Sequence, residues 1–374
     1  MVKPIVAKTV IVKPVSITCN QRCRYCYNFS VDFRTMHAFP KMEVGTVEAL
    51  QRNLVAMGYN RIRLVFHGGE PLLRGLPFYR EVVEMQARFH EEFPEVQVED
   101  GIQSNLTRLT PEWCEFFKQH RFSVGSSLDG WEELHNYYRR YPDGTGTFSD
   151  VMYGIELAKR YDILGGYIAV VTDQTLKQNP KAYLDYLVSV NPKVELSPCW
   201  EMGAPAERPS YVLEPGEFLT FLKTTFDAWI ARDDPKLEVR LLHGFMQALL
   251  GGRDLTCSFK GNCRDFLAVE ADGTIYPCGK FSGIPEFRLG NLHEQPLVEI
   301  LANPVYAKWL SNRTNMPPKC QACPWVKTCF NGCTYERYLG NGQFAEVSPL
   351  CDVWVGMFEH VQVTIQRLQT QMPA

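Results

Sequence analysis

Short apolar runs alternate with longer amphipathic stretches through the first two-thirds of the chain. Val10–Thr18, Ile62–Phe66, Val96–Gln103, Phe122–Ser127, Gly166–Val171 and Val194–Ser197 have the length and the apolar content of strands. Between them, Val44–Met57, Tyr79–Phe93, Pro111–Gln119, Val151–Tyr161 and Pro180–Ser189 carry apolar residues at helical spacing. Strand–helix alternation of this kind predicts an α/β domain built on a parallel sheet. Six such strands suit an open barrel or a doubly wound sheet, and the pattern alone does not separate the two.

The texture changes after Leu213. Glu214–Arg232 reads as a helix with Pro215 in its first turn, and Leu241–Leu250 as another. From Cys257 onward the chain is rich in cysteine, glycine and proline. One hairpin, Phe266–Cys278, turns at Asp272-Gly273. This part has few long apolar segments, so bound metal is expected to help hold it together. The expected division is residues 1–240 and 241–374.

Composition excludes several classes. Hydrophobic residues make up 45% and charged residues 22%, with a formal net charge of -3. That is an ordinary globular balance, without bulk attraction to nucleic acid or an anionic membrane. No apolar stretch has the length of a membrane span. The first residues, with Lys3, Lys8 and Lys13 among proline-broken apolar runs, do not form a signal peptide. The 13 cysteines fall in tight groups at metal-ligand spacings, which points to metal binding in the cytoplasm rather than to disulfides.

Cys19, Cys23 and Cys26 follow the first strand as C-x3-C-x2-C, on the loop where α/β proteins place active sites. Three thiolates leave a zinc site one ligand short. They can be completed by a distant ligand as a zinc knuckle, or can hold an iron–sulfur cluster with one open iron. His67-Gly68-Gly69-Glu70-Pro71 follows the second strand. It reads either as a glycine turn closed by proline or as a ligand loop, where glycines admit close backbone approach and the carboxylate accepts from an amino group.

Together these motifs resemble the radical S-adenosylmethionine (SAM) family over about residues 10–240. The resemblance implies a partial (β/α)6 barrel with a [4Fe–4S] cluster on Cys19, Cys23 and Cys26, whose open iron chelates SAM. It implies SAM contacts from Tyr25, Gly68, Gly69, Glu70, Ser127, Arg139 and Trp200. Gln103 and Asn105, ending the third strand, are expected to point toward the mouth as substrate contacts. Cys257, Cys263, Cys278, Cys320, Cys323, Cys329, Cys333 and Cys351 resemble a SPASM domain over about residues 255–355. That resemblance implies two auxiliary [4Fe–4S] clusters. One is on Cys257, Cys263, Cys278 and Cys333, the other on Cys320, Cys323, Cys329 and Cys351. Zinc is the alternative metal here. Cys114, beside Phe116 and Phe117, reads as core. Cys199 reads as a packed residue or a hydrogen-atom donor.

SPASM enzymes mostly modify peptides. Cysteine spacing and length resemble anaerobic sulfatase-maturating enzymes, which make formylglycine. There an Asp follows the hairpin cysteine and acts as base; here the residue is Gly279, followed by Lys280. The expected reaction is therefore hydrogen abstraction from a ribosomally made precursor peptide, followed by intramolecular cross-linking of the cyclophane type. The stretch before Cys19 is too short for a leader-binding domain, as in enzymes that make such links. The alternatives are sulfatase maturation, peptide epimerisation through Cys199, or a non-catalytic iron–sulfur electron carrier. The expected partners are a peptide or protein substrate and an electron donor such as flavodoxin or ferredoxin.

Overall fold

The computed structural model describes residues 4–30, 40–199, 213–252, 256–341, 344 and 346–371. Six parallel strands follow one another in space as they do in sequence. They are β1 (Ala7–Val12), β2 (Arg61–Phe66), β3 (Gln97–Gln103), β4 (Ser123–Ser127), β5 (Leu164–Val171) and β6 (Lys193–Pro198). The intervening helices are α1 (Val44–Ala56), α2 (Leu76–Glu92), α3 (Pro111–Gln119), α4 (Glu132–Tyr138), α5 (Phe148–Arg160), α6 (Asp173–Leu176) and α7 (Pro180–Val190). Sequential order with right-handed crossovers keeps the helices on one face. The sheet is thus the open, barrel-like alternative and not the doubly wound one.

The sheet does not stop at these six strands. Beyond β6 lies β7 (Glu238–Val239). On the other side β8 (Phe266–Val269) pairs parallel with β1, followed by β9 (Thr274–Tyr276) and β10 (Gly290–Asn291), in a ten-stranded whole. The predicted hairpin is β8–β9, closed by Gly273 N donating to Glu270 O at 3.0 Å with Gly273 at φ 85°. The cysteine-rich segment therefore continues the N-terminal sheet. Around it lie α8 (Pro215–Ile230), α9 (Arg240–Leu250) and five short helices. These are α10 (Leu297–Ile300), α11 (Pro304–Ser311), α12 (Pro318–Gln321), α13 (Val326–Cys329) and α14 (Thr334–Asn341). The chain closes with α15 (Cys351–Gln371), where Trp354 meets Phe218 of α8 and Phe245 of α9 with ring centroids at 6.3 and 5.9 Å.

Burial follows the predicted pattern. Val10 and Val12 of β1, and Ile62, Leu64 and Phe66 of β2, are fully enclosed. Phe66 packs on Tyr79 at 5.2 Å and Trp113 stacks on Phe117 at 5.3 Å, so α2 and α3 cover the sheet with aromatic rings. Cys114 lies in this core, as expected.

The clearest differences from the sequence reading are two boundaries and one added helix. β1 ends at Val12, not Thr18, because Pro14 offers no N–H and Ser16 turns into the left-handed region at φ 52°. α2 starts at Leu76, with Pro77 in its first turn. The 21-residue α15 carries Val353, Trp354, Met357, Phe358 and Val361 on its buried face, a helical period obscured by reading Cys351 only as a ligand.

Candidate active site

The loop after β1 carries the first three cysteines. Arg22 N donates to Arg140 O at 2.7 Å and Arg24 N to Tyr138 O at 3.0 Å, which clamps this loop to the end of α4. Cys26 N donates to Cys23 O at 3.1 Å, closing a turn. Cys19, Cys23 and Cys26 lie close enough to repel one another electrostatically as thiolates. Burial pushes all three thiols up, Cys19 to about 12. Bare thiols so crowded stay protonated. A cation bound among them would reverse that preference, which is the behaviour of a metal-ligand set.

The glycine turn serves this loop directly. Gly69 N donates to Ser16 O and Glu70 N to Thr18 O, both at 2.8 Å. A Cβ on Gly69 would lie 2.0 Å from Thr18 O, and one on Gly68, itself at φ 120°, 2.5 Å from Ser16 O. The close approach that these glycines permit is to the cysteine loop. Glu70 is fully buried, and its carboxylate accepts from Leu72 N at 3.0 Å, Ser104 Oγ at 2.8 Å and Asn105 N at 2.8 Å. Burial lifts its pKa to about 7 against the pull of these donors. Glu70 therefore links the β2 turn to the β3 turn. Asn105 Nδ2 in turn reaches Asn20 Oδ1 at 3.0 Å and lies 3.9 Å from Cys19 Sγ.

A second knot lies at the end of β4. Arg139 forks onto Asp129, Nε to Oδ2 at 2.9 Å and Nη2 to Oδ1 at 3.1 Å. Asp129 also accepts from the Tyr25 hydroxyl and, at 3.0 Å, from Val170 N. The Arg139 guanidinium lies 5.4 Å from the Tyr25 ring centroid. Cys199, fully buried, packs with Tyr25, Tyr138 and Val170 against Cys23. Ser127 accepts from Gln103 Nε2 at 3.1 Å, and the same amide donates to Ser126 O at 2.7 Å. The structure thus gathers Tyr25, Arg139 and Cys199 beside the first cysteine group and pairs Gln103 with Ser127. Trp200 lies outside the described residues.

The eight C-terminal cysteines divide into two sets. Cys257 couples electrostatically to Cys278, Cys333 and Cys263. Cys320, Cys323, Cys329 and Cys351 line one cavity of about 190 Å³ with Lys319, Asn331, Ser348 and Asp352 around them. Burial is the first cause of the raised thiol pKa values, to about 11 for Cys278 and about 12 for Cys257 and Cys329. Cys329 and Cys333 fall in different sets although only three residues separate them. Phe330, Asn331 and Gly332 all have positive φ, at 51°, 60° and 62°, and this left-handed turn separates the two thiols. Asn331 secures it by donating to Glu346 O at 3.0 Å and accepting from Ser348 N at 2.7 Å.

Gly279 opens the short turn after Cys278, and a Cβ there would meet Ile11 Cγ2 at 3.3 Å. The site includes groups that the sequence reading passed over. Lys13, fully buried, pairs with Glu270 at 2.7 Å, and Ser16 Oγ donates to the other Glu270 oxygen at 2.6 Å. This joins the cysteine loop to the hairpin of the C-terminal segment. A lysine just past a strand end and a glutamate before a hairpin turn carry no spacing signal. Only the β1–β8 pairing brings them together.

The donor sets suit iron–sulfur clusters. There are three thiols beside a turn lined with backbone N–H groups and a carboxylate, then two sets of four. The sequence matches the Radical SAM superfamily over residues 14–182 and the SPASM iron-sulfur cluster-binding domain over residues 257–324. It is 29% identical over 355 residues to a cysteine-type anaerobic sulfatase-maturating enzyme of Clostridium novyi, covering 94% of each chain. It is 27% identical over 377 residues to a serine-type anaerobic sulfatase-maturating enzyme of Bacteroides thetaiotaomicron, covering 94% of this chain and 89% of that one. Among solved structures, native anSMEcpe with bound AdoMet superposes with a TM-score of 0.87 at 26% identity, over 97% of this chain and all of that one. SuiB of Streptococcus suis bound to precursor peptide SuiA shares the fold at a TM-score of 0.60 and 15% identity, over 92% of this chain and 76% of that one. The chain is a radical SAM enzyme with a SPASM domain. Its cofactors are SAM and [4Fe–4S] iron–sulfur clusters. A non-catalytic electron carrier is thereby set aside. No helix among the described residues is long and apolar enough to cross a membrane.

Proposed function

We propose that this enzyme modifies a precursor peptide by forming an intramolecular carbon–carbon cross-link of the cyclophane type. In this reading Cys19, Cys23 and Cys26 hold the SAM cluster. Tyr25, Gly68, Gly69, Glu70, Ser127, Arg139 and Trp200 contact SAM, and the two sets of four cysteines hold auxiliary clusters. When bound, SAM and its reduced cluster supply a 5′-deoxyadenosyl radical. The chain's own residues bind the peptide, exclude water and decide which proton is lost. Gln103, ending β3, and Asn105, two residues on, are the candidate peptide contacts, and an electron donor such as flavodoxin or ferredoxin supplies the electron.

Gly279 carries the choice of reaction. It has no side chain to accept a proton, and its Cβ direction leads to the apolar Ile11. Lys280, next in sequence, is disfavoured as a cation by its burial. The negative charge of the neighbouring Cys333, Glu336 and Cys278 outweighs this and keeps its pKa above the ordinary lysine value, so it is no base either. Cross-linking of two C–H positions needs no base for a thiol or hydroxyl. Epimerisation through Cys199 is disfavoured by the enclosure of its thiol between Tyr25, Tyr138 and Val170.

Sulfatase maturation is the second reading, supported by similarity along 94% of the chain. One experiment separates them. The reconstituted enzyme is incubated with dithionite, SAM and either an aromatic-rich precursor peptide encoded beside it or a sulfatase peptide. A peptide lighter by two hydrogens and inert to hydrazine supports cross-linking. A hydrazine-reactive aldehyde on the sulfatase peptide, with the precursor unchanged, refutes it.

A further inference from the structure

Cations gather around the cysteine set Cys257, Cys263, Cys278 and Cys333. Arg313 is 7% exposed and Arg337 1%. Arg313 Nε donates to Cys263 Sγ at 3.2 Å. The same guanidinium donates to Phe330 O at 2.9 Å and to Gly332 O, so it also grips the left-handed turn. Thr334 Oγ1 lies 3.7 Å from the same sulfur and accepts from Arg337 Nη2 at 3.3 Å. Lys280 sits beside Cys333 and Cys278, 5.6 Å from the Tyr335 ring centroid. Glu336 offsets part of this charge.

The buried Arg337 is shared between the two C-terminal cysteine sets, coupling to Cys320 as well as to Cys333 and Cys263. By contrast, Lys319, beside the other set, is 63% exposed and pairs with an Asp352 that is 85% exposed. Solvent screens that pair, while the buried guanidinium of Arg313 acts at nearly full strength. A four-cysteine cluster gains one negative charge on reduction. Buried positive charge and N–H···S hydrogen bonds therefore favour the reduced form.

We propose that Arg313, aided by Lys280, raises the reduction potential of the cluster held by Cys257, Cys263, Cys278 and Cys333 above the value that cluster would have without these cations. This rests on the assignment of a [4Fe–4S] cluster to those four cysteines. Joining two carbons removes two hydrogens from the peptide. One leaves as an atom on 5′-deoxyadenosine. The other would leave as a proton to solvent with an electron that a cluster of raised potential is suited to accept. Arg313 is a positioning residue, touching a cluster ligand and not the substrate.

The test uses the full chain with Cys19, Cys23 and Cys26 replaced by Ala, reconstituted anaerobically and titrated by EPR-monitored potentiometry. Two reduction waves are expected. Arg313→Met should move one wave to lower potential and leave the other in place. Arg313→Lys should move the same wave less, and Lys280→Met should move it in the same direction. Should Arg313→Met fail to assemble, Lys280→Met decides alone. Waves that stay fixed in the variants, with iron and sulfide for two clusters retained, overturn the proposal. A parent protein with iron and sulfide for fewer than two clusters overturns the cluster assignment itself, and the proposal with it.

Discussion

Gly69→Ala is the sharpest test of how the glycine turn supports the first cysteine group. The added Cβ would lie 2.0 Å from Thr18 O, 2.4 Å from Thr18 C and 2.5 Å from Ile17 O, where ordinary contact begins at 3.4 Å. These are backbone atoms, which cannot rotate away, so the cysteine loop must retreat by more than an ångström. Retreat breaks the bonds Gly69 N to Ser16 O and Glu70 N to Thr18 O. Two bonds at about 1 kcal/mol each, plus about 1–3 kcal/mol for overpacking, give a loss of about 3–5 kcal/mol. That is a large share of the roughly 5–15 kcal/mol that stabilises a typical domain. The expected result is a lower urea midpoint together with loss of one cluster's worth of iron after reconstitution, the auxiliary clusters being retained. Gly45→Ala is the control, since Gly45, like Gly69, has no positive φ but has no atom within 4 Å of the added carbon. If Gly69→Ala unfolds at the parental midpoint with all its iron, packing against Thr18 is not what requires glycine there.

Other outcomes follow from the same structure. Asp129→Asn leaves the buried Arg139 without its fork and should cost about 3–5 kcal/mol in denaturant titration, more than a surface charge swap. His135, fully buried, is held down to about 4 by burial, so it stays neutral in the folded protein. Only the unfolded chain takes up a proton as pH falls from about 6.5 to about 4, so folding stability is lost across that window, by up to about 3 kcal/mol. The difference between parent and His135→Gln in melts at pH 7 and pH 5 should show this loss in the parent only. Gly45→Ala, inside α1 with nothing within 4 Å of the added carbon, should stabilise by about 0.5–1 kcal/mol, read as a raised melting temperature.

Much of this was legible from local sequence. Period-two and helical patterns mark β1 to β6 and most of the helices between them, because each element buries one face. The cysteine spacings mark the N-terminal and C-terminal cysteine groups, while the division of the C-terminal eight into two sets of four came only from the family resemblance. What escaped depends on contacts remote in sequence. β8 pairs with β1 in a register that no local pattern encodes, and the Lys13–Glu270–Ser16 group exists only because of it. Asp129, just past the end of β4, carries no spacing signal, yet it collects Tyr25, Arg139 and Val170. The left-handed turn between Cys329 and Cys333 is carried by Phe330 and Asn331 as well as Gly332, and a phenylalanine does not announce a positive φ.

The pairing of β1 with β8 also sets an order of events during synthesis. Ser16 and Glu270 are 254 positions apart, whereas β2 follows β1 much sooner. At about 5–20 residues per second, the ribosome leaves one edge of β1 without its neighbour for roughly 10–50 s. Through that interval the loop bearing Cys19, Cys23 and Cys26 lacks its anchor on Glu270, and an open strand edge invites mispairing. The surroundings of this first cysteine group are therefore completed late, once the C-terminal segment has emerged. Slower translation or an early stop should lead to aggregated apoprotein rather than a loaded half-enzyme.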